Sequence, residues 1–567
     1  MRKIWLVKKA DKARLDRLVK ELNISPIIAH LLINRSISDP GEAYNFLDCS
    51  LASLHDPFMM KGMRKAVDRI KRAVSKGERI LVYGDYDVDG ITSVALLVSV
   101  LTRLGGNASE YIPNRLEEGY GLNLDACQLA HRKKINLLIS VDCGINAKRE
   151  VDFLNSRGID VIVVDHHELQ ADSLPNAHAI INPLQDGCGY PFKHLAGVGL
   201  AFKLAQSILG SSIEEAKDLL DLVALGTVAD VVPQVGENRV LTRHGLDVIT
   251  NTKRIGLKEL IKVSGLTGKD ISSGHVGYIL GPRINASGRI GSPKKASRLL
   301  LTDNIDEAKE LAQVLDCENK NRRAIESKIL KEAVEKVKVE VNFKEHKVIV
   351  ISAENWHPGV IGIVASRLVD KFYRPTAVIS AGKSMGRGSA RSISDFNLFE
   401  AISKCKSYLS EFGGHEAACG FSIDKKDIVK FKESFNKVAT ETLKPEHLLP
   451  KLKADMDIPL NMLSEELICQ IARLAPHGPK NPSPVFVSRQ IRLKKPPRLI
   501  GRKGVKFWVT DGKITCEAIA FGVSDIFLDT LKNEGIDLAY SPTMNAYRGL
   551  RSIQLNLEDL KASEDAL

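Results

Sequence analysis

Residues 80–90 read ILVYGDYDVDG, an apolar run rich in β-branched side chains that ends in a group of acids. Two later stretches have the same form: residues 137–144 read LLISVDCG, and residues 161–168 read VIVVDHHE. Segments with the apolar spacing of helices separate these runs. Continuous apolar runs that alternate with helices predict an α/β domain with a parallel sheet covered on both faces.

The acids that follow these runs predict a metal site. The carboxyl ends of parallel strands meet at one edge of the sheet, where ligands bind, so Asp87, Asp89, Asp142 and His166 are expected to lie together. So many carboxylates stay ionised only if cations compensate their charge. Oxygen ligands with an imidazole suit Mn²⁺ or Mg²⁺. An excess of carboxylates over the needs of one ion indicates two bridged cations, which suits phosphodiester hydrolysis; for any single motif, an ordinary polar turn is the alternative.

Composition and charge narrow the classes of protein. The chain has 567 residues, too many for one core, and a net charge of +12, which is typical of proteins that bind a polyanion. No apolar run approaches the roughly 20 residues that span a bilayer. The nine cysteines form no Cys-x-x-Cys pair, which favours a reducing compartment and therefore a cytoplasmic location, and disfavours disulfides or a thiolate zinc site.

The chain is expected to divide into five segments. A stretch without Pro or Gly over residues 303–338 indicates a long helix, either a connector between lobes or an ordinary surface helix. The expected segments are an N-terminal helical region at 1–75, a catalytic α/β domain at 76–302, a connecting helix at 303–340, a second α/β domain at 341–445 and an OB-like β-barrel at 450–562.

The C-terminal segment carries an uneven share of the positive charge. Residues 489–506 contain eight basic residues and no acidic one, and Phe507 and Trp508 follow. Basic strands with nearby aromatic residues suit a barrel that binds single strands by phosphate attraction and base stacking. A solvated face is the alternative for the basic run, and core packing is the alternative for the two aromatic residues. The candidate nucleic-acid-binding residues are Arg489, Arg492, Arg498, Arg502, Lys503 and Lys506.

Asp165-His166-His167 is the signature from which the DHH phosphoesterase family takes its name, and the chain is identified as a member of that family. The resemblance extends to VALGTVADVVP at 223–233. It also extends to the family's accessory domain, DHHA1, through GRGSARS at 386–392 and GGHEAACG at 413–420. Two further segments, YIPNR at 111–115 and GPRINASGR at 281–289, resemble those of the family's single-strand-specific DNA exonucleases.

The resemblance implies a role for each acid. Asp87 would bind the first metal and Asp142 would bridge both, while Asp89, His166 and Asp230 would complete the second site. His167 and His415 would be the catalytic residues beside the scissile phosphate. Some relatives carry a metal-binding His four residues before the first Asp ligand, where this chain has Tyr83. Either Asp85 substitutes for it, or the first metal is held more loosely.

The resemblance also implies how a substrate is held. Arg115, Arg289, Ser389 and Arg391 would bind a terminal 5′ phosphate, since guanidinium groups form charge-assisted bonds to phosphate oxygens. Gly413 and Gly414 would let the backbone approach the phosphate closely and offer N–H donors.

The expected function is therefore two-metal hydrolysis of single-stranded DNA by a 5′-to-3′ exonuclease in DNA repair and recombination. The expected partners are single-stranded DNA and a helicase or single-strand-binding protein, with no membrane. Two alternatives stay open: a DHH phosphodiesterase for short oligonucleotides or cyclic dinucleotides, and an inactive DHH scaffold in a replication complex.

Overall fold

The structure, a computed structural model, describes residues 3–115, 117–119, 121–169, 174–210, 212–501, 504–523, 525–547 and 550–563. The elements of its N-terminal region are β1 (Ile4–Val7), α1 (Lys12–Leu22), α2 (Pro26–Ile33), α3 (Pro40–Asp48) and α4 (Met63–Ser75). Among the described residues, no helix combines the length and the apolar composition that crossing a membrane requires.

The catalytic domain is built on the expected parallel sheet. Its strands are β2 (Arg79–Gly84), β3 (Asn107–Tyr111), β4 (Leu137–Val141), β5 (Asp160–Val164) and β6 (Ala179–Ile181). They lie in the order β3-β2-β4-β5-β6, and every pair is parallel. Both faces of β2, β4 and β5 are buried, which explains their continuous apolar sequences.

Helices and a π-helical turn surround and extend this sheet. They are α5 (Val88–Arg103), α6 (Leu124–Arg132), α7 (Lys148–Ser156), α8 (Gly197–Ile208), α9 (Ile213–Ala216), α10 (Leu220–Ala229), α11 (Gly236–Thr250), α12 (Ile255–Val263), α13 (Ser273–His275), the π-helix Val276–Leu280, α14 (Gly281–Ile290) and α15 (Lys294–Leu301). Helices α5 and α10 are buried on almost all sides.

A 36-residue helix, α16 (Ile305–Glu340), joins the two α/β domains. The side chain of Asn304 caps its first turn, and its interior contains neither Pro nor Gly. Ala308 and Ala312 pack into the core of the catalytic domain, whereas Ala333 and Val337 pack into the second domain. The predicted connecting helix is therefore confirmed, with its start two residues later than expected.

The second α/β domain has a mixed sheet. Its elements are β7 (Ile349–Glu354), α17 (Ile361–Phe372), β8 (Thr376–Ala381), β9 (Met385–Arg391), α18 (Leu398–Lys404), β10 (Glu411–His415), β11 (Ala418–Asp424) and α19 (Ile428–Thr442). The strand order is β10-β11-β9-β8-β7, in which β7 and β8 pair in parallel and the other neighbours are antiparallel.

The C-terminal segment forms the expected small barrel. Its elements are β12 (Lys451–Ala454), β13 (Met456–Asp457), α20 (Glu465–Ala472), β14 (Phe486–Ile500), β15 (Gly504–Thr510), β16 (Thr515–Phe521), α21 (Asp525–Thr530), β17 (Ile536–Tyr547) and β18 (Leu550–Ala562). Five strands pair in the order β14-β15-β16-β18-β17, and a further pairing of β14 with β17 closes the barrel.

The N-terminal region shares its core with this barrel. Leu18, Leu31 and Leu32 lie in one apolar cluster with Phe486 and Phe507. Strand β1 pairs in parallel with β12, so the two ends of the chain form one structural unit. The sequence pattern indicated only helices here, because a four-residue strand whose partner is more than 400 residues away leaves no local signal.

Candidate active site

The acids gather where the strands of the parallel sheet end. Asp85 and Asp87 follow β2, and the Asp87 carboxylate caps α5 by accepting hydrogen bonds from the backbone of Asp89 and Gly90. Asp142 follows β4 in a left-handed conformation, with φ 58°. Residues other than glycine adopt this conformation uncommonly, and strained conformations cluster at functional sites.

His166 lies at the centre of the cluster. Its Nε2 atom is 3.2 Å from Asp142 Oδ1, 3.7 Å from Asp230 Oδ2 and 3.9 Å from Asp89 Oδ2. Asp230, which comes from the end of α10, therefore reaches the same point as the acids from the sheet. The structure thus brings together acids from separate segments of the chain.

These side chains form three overlapping groups that could hold metal ions. Asp85, Asp87 and Asp142 form the first group, Asp89, His166 and Asp230 form the second, and Asp142, His166 and His167 form the third. In each group the ligand atoms lie within 4.8 Å of one another. Asp142 belongs to the first and third groups, and its Oδ1 atom is 3.2 Å from Nε2 of His166, which belongs to the second and third.

Two glycines allow the surrounding helices to approach the acids. A Cβ atom on Gly197, at the start of α8, would lie 2.8 Å from the Asp142 side chain. A Cβ atom on Gly226 of α10 would lie 2.4 Å from Thr92 Oγ1 and 3.0 Å from Asp89 Oδ1. The close approach of α8 lets the backbone N–H groups of Gly197 and Val198 donate to the Asp89 carboxylate, each at 2.7 Å.

The raised pKa values of the clustered acids indicate that their ionised forms need positive charge nearby. Burial, and then the neighbouring Asp87, raises the pKa of Asp89 to about 7. Burial and the charges of Asp89 and Asp87 raise the pKa of Asp230 to about 9. Within the part of the chain that the structure describes, the buried Oδ1 atoms of Asp85 and Asp142 accept no hydrogen bond. Hard divalent cations would use these oxygens and keep the acids ionised, so the donor set fits Mn²⁺ or Mg²⁺.

His167 is held by a second buried acid. Its Nδ1 atom is 2.7 Å from Asp165 Oδ1, and Asp165 also accepts hydrogen bonds from the backbone of His167 and Ile145. Burial opposes protonation of His167, but the hydrogen bond and charge of Asp165 raise its pKa overall. The carboxylate therefore fixes the orientation of an imidazole that lines the acidic pocket.

His415 lies on the opposite wall of the cleft. It is exposed at the end of β10 and lines one cavity of about 1070 Å³ together with His166 and His167. It does not line the smaller acidic pocket of about 330 Å³ that contains Asp87, Asp142 and His167. The structure therefore places His167 against the acids and His415 across the interdomain space.

Tyr83 is not part of the ligand set. Its hydroxyl donates to Gly121 O at 2.8 Å and accepts from Asn123 Nδ2 at 3.2 Å. Its ring is fully buried and stacks on Tyr111. Of the two residues considered for the first metal, only Asp85 offers an oxygen to the acidic group.

The predicted phosphate-binding residues line a cavity of about 640 Å³ between the two α/β domains. Arg115 and Arg289 come from the catalytic domain, and Ser389 and Arg391 come from β9 of the second domain. Arg391 Nη1 donates to Ser389 Oγ at 3.1 Å. Burial, and then the charges of Arg115, Arg322 and Arg391, lowers the pKa of Arg289 to about 10. Such crowding of guanidinium groups favours a bound anion.

The structure separates the two predicted glycines. Gly413 lines the cavity with the arginines, whereas Gly414 lines the cavity with His415. Gly414 has φ 144°, and an added Cβ would lie 2.2 Å from Ala418 O, so its backbone requires glycine. Asn285 and Tyr86 also line the acidic pocket. Both stand in motifs that the sequence singled out, but their residue types gave no reason to assign them a role.

The basic residues of the barrel differ in their surroundings. Arg489 forms ion pairs with Asp457 and Asp537, at 2.5 and 3.1 Å, and Lys506 pairs with Glu517 at 2.6 Å. Arg492 and Arg498 are exposed on β14, and Arg502 and Lys503 lie outside the described residues. Among the described residues of this set, Arg492 and Arg498 are therefore the more available cations.

The two aromatic residues of the barrel also differ. Phe507 is fully buried in the core, whereas Trp508 points outward. Lys495 and Lys506 lie 5.7 and 5.6 Å from the Trp508 ring. Phe507 is therefore a core residue, whereas the Trp508 ring is only partly buried.

Family models match three parts of the chain. The model described as "DHH family, N-terminal domain" matches residues 79–227, "DHHA1 domain" matches 345–444, and "RecJ OB domain" matches 454–559. These are the three domains that surround the cleft and form the barrel.

Curated relatives match over nearly the whole chain. The chain is 38% identical to the single-stranded-DNA-specific exonuclease RecJ of Bacillus subtilis, an alignment that covers 99% of this chain and 71% of that protein. It is 35% identical to the protein of the same name from Escherichia coli, covering 95% of this chain and 96% of that one. These matches favour the exonuclease over both alternatives left open by the sequence.

Solved structures share the architecture. A crystal structure of RecJ in complex with Mn²⁺ from Thermus thermophilus aligns with a TM-score of 0.84 and 29% identity, covering 99% of this chain and 80% of that one. The corresponding complex with Mg²⁺ aligns with a TM-score of 0.79 and 28% identity, covering 99% and 79%.

Proposed function

This chain belongs to the RecJ family of single-stranded-DNA-specific exonucleases, and we propose that it removes nucleotides from the 5′ end of single-stranded DNA during repair and recombination. The observation that carries the proposal is the adjacency of two cavities. Arg115 and Arg289 line both the acidic pocket and the arginine-rich cavity. A strand whose terminal phosphate occupies the second cavity would therefore present a nearby phosphodiester to the acids.

The acids supply the place of hydrolysis. Asp85, Asp87 and Asp142 would hold one cation, and Asp89, His166 and Asp230 would hold the other, with Asp142 between them. Divalent cations at such a site lower the pKa of an attacking water and offset charge on the leaving oxygen. The residues of the chain contribute the geometry, because Asp87 and Asp89 are fixed by backbone hydrogen bonds.

Two further histidines, His167 and His415, would act on the substrate. Asp165 orients His167 within the acidic pocket, where its imidazole would hydrogen-bond an oxygen of the scissile phosphate. His415 would approach the same phosphate from the second domain. Because these two residues belong to different domains, productive binding would require both walls of the cleft.

End recognition follows from the arginine-rich cavity. Ser389 and Arg391 are connected by a hydrogen bond, which holds the guanidinium ready for a phosphate. The loss of one charged hydrogen bond costs about 2 kcal/mol, which corresponds to a roughly 10- to 100-fold weaker interaction.

We also propose that the protein works in the cytoplasm with a helicase or a single-strand-binding protein, because its substrate must first be unpaired.

The test compares single strands labelled at the 5′ or the 3′ end, and duplex DNA, with Mn²⁺, Mg²⁺ or a chelator. We expect early release of the 5′ label, little cleavage of the duplex and no activity with the chelator. Arg391→Gln should raise KM for a 5′-phosphorylated strand about 10- to 100-fold and leave KM for a 5′-hydroxyl strand nearly unchanged. Lys383→Gln, an exposed change in the same domain, is the matched control. Early release of the 3′ label would refute the proposed polarity.

A further inference from the structure

A fourth cavity lies next to the acidic pocket, on the other side of Asn285 and Arg289. It has a volume of about 560 Å³ and is formed by the π-helix, α14, α16 and α17. This volume is within the ordinary range of cavities that hold small ligands. The mechanism described above does not use it.

The lining of this cavity has a strong excess of positive charge. Arg289, Arg322, Arg323 and Arg367 line it, and Glu326 is the acid among its described lining residues. Glu326 pairs with Arg322 at 2.7 Å and with Arg367 at 3.3 Å. One carboxylate thus pairs with two guanidinium groups. The four arginines and one glutamate of the lining have a net charge of about +3, which favours an anion with several oxygens.

An aromatic ring stands at the same cavity. Tyr278 belongs to the π-helix Val276–Leu280, and 80% of its surface is exposed. A π-helical turn is rare and is frequently found at functional sites. Pro282, Leu330 and Ile363 add apolar surface to the lining. The cavity therefore offers guanidinium groups for a phosphate and an exposed ring for a planar base.

We propose that this cavity is a second nucleotide site, which binds a nucleoside 5′-phosphate between Tyr278 and the guanidinium groups of Arg323 and Arg367. The choice of a nucleotide over other phosphate esters rests on the proposed function. The nucleotide is either a free mononucleotide released by the enzyme or part of the bound strand, and the chemistry of recognition is the same.

Sharing of Arg289 gives the site a consequence for catalysis. The same guanidinium lines this cavity and the cavity for the terminal phosphate. A phosphate in the second site would compete for its N–H donors and weaken binding of the strand end. A free mononucleotide would therefore inhibit the enzyme through a site other than the one that it leaves.

Binding is measured by calorimetry in the presence of a chelator, so that no turnover occurs. Arg391→Gln serves as the background, because we expect it to weaken mononucleotide binding in the neighbouring cavity. In this background, Arg323→Gln with Arg367→Gln should weaken binding of deoxyadenosine monophosphate at least tenfold. Lys328→Gln, an exposed change on the same helix, should have no effect. Thermal unfolding checks that each variant is folded.

Further measurements identify the source of the bound nucleotide and the groups that recognise it. If the double change instead weakens only a single-stranded oligonucleotide, the site belongs to the path of the strand, which also supports nucleotide binding. Tyr278→Leu should weaken deoxyadenosine monophosphate but not inorganic phosphate. Unchanged binding of both the mononucleotide and the oligonucleotide in the double variant would overturn the proposal. Because no arm needs hydrolysis, a failure of the proposed exonuclease activity would be seen separately.

Discussion

Replacing Asp230 by Asn should make the metal-free protein more stable while removing its activity. Asp230 lies at the end of α10, with its Oδ2 atom 3.7 Å from His166 Nε2. The substitution preserves the shape of the side chain and removes one negative charge from the cluster. Stability and activity are therefore expected to change in opposite directions.

The size of the stability effect follows from the raised pKa of about 9, compared with an ordinary value of 3.8. A carboxyl with a raised pKa holds its proton more tightly in the folded protein than in the unfolded chain. The contribution of protonated Asp230 to the free energy of unfolding is therefore fully present below about pH 4, and it is lost as the pH rises from about 4 to 9. At about 1.4 kcal/mol per pKa unit, the raised pKa of Asp230 lowers the free energy of unfolding by up to about 6 kcal/mol at pH 8. The Asp230 side chain is 23% exposed, so water screens part of this electrostatic effect. We therefore expect Asp230→Asn to raise the free energy of unfolding by about 2 kcal/mol at pH 8.

The assay is urea unfolding with a chelator at pH 8 and at pH 4, repeated with Mn²⁺. We expect the variant to exceed the natural protein in stability at pH 8, to match it at pH 4, and to gain less from Mn²⁺. Its nuclease turnover should fall at least about 100-fold. Asp152→Asn, on the exposed face of α7, is the control that should change nothing. A variant that is less stable than the natural protein at pH 8 without metal would refute the reasoning.

Three further changes test other parts of the structure. Val231 follows Asp230 with φ 62°, which a β-branched side chain rarely adopts, so Val231→Gly should raise the free energy of unfolding by about 1 kcal/mol in urea. Arg239 is fully buried, stacks on Phe46 and donates to several backbone carbonyls of the N- and C-terminal regions, so Arg239→Met should lower that free energy by about 3 kcal/mol or more. Arg492→Gln with Arg498→Gln should reduce the slope of log binding constant against log salt concentration by about 1.4 in a filter-binding titration of single-stranded DNA. An unchanged slope would remove these two residues from the binding surface.

The core of the site was predictable because it depends on local sequence. Each apolar run forms a buried parallel strand, and strand polarity forces the residues after β2, β4 and β5 to one edge. The position of Asp142 beside His166 therefore follows from two short stretches of sequence. Asp230 came from the family resemblance instead, since a helix end far along the chain carries no local sign of where it points.

The features that sequence did not reveal depend on long-range packing. The pairing of β1 with β12 and the common core of the two chain ends join residues that are far apart. The ion pairs of Arg489 with Asp457 and Asp537 require the closed barrel, so the charge of the basic run overstated its available cations. Gly413 and Gly414 line different cavities because of the path of strand β10, which the sequence alone does not show.

The location of the two halves of the site has a mechanistic consequence. The acids belong to one domain, whereas Ser389 and Arg391, which are proposed to hold the strand end, belong to the other. Helix α16 is packed into the cores of both domains and fixes the distance between them. The position of the scissile phosphate relative to the strand end would therefore depend on the relative placement of the two domains. Substitutions that alter the packing of α16 against either domain, with the acids and arginines unchanged, should then change the length of the released product, which is a property that substitutions of the acids alone would not alter.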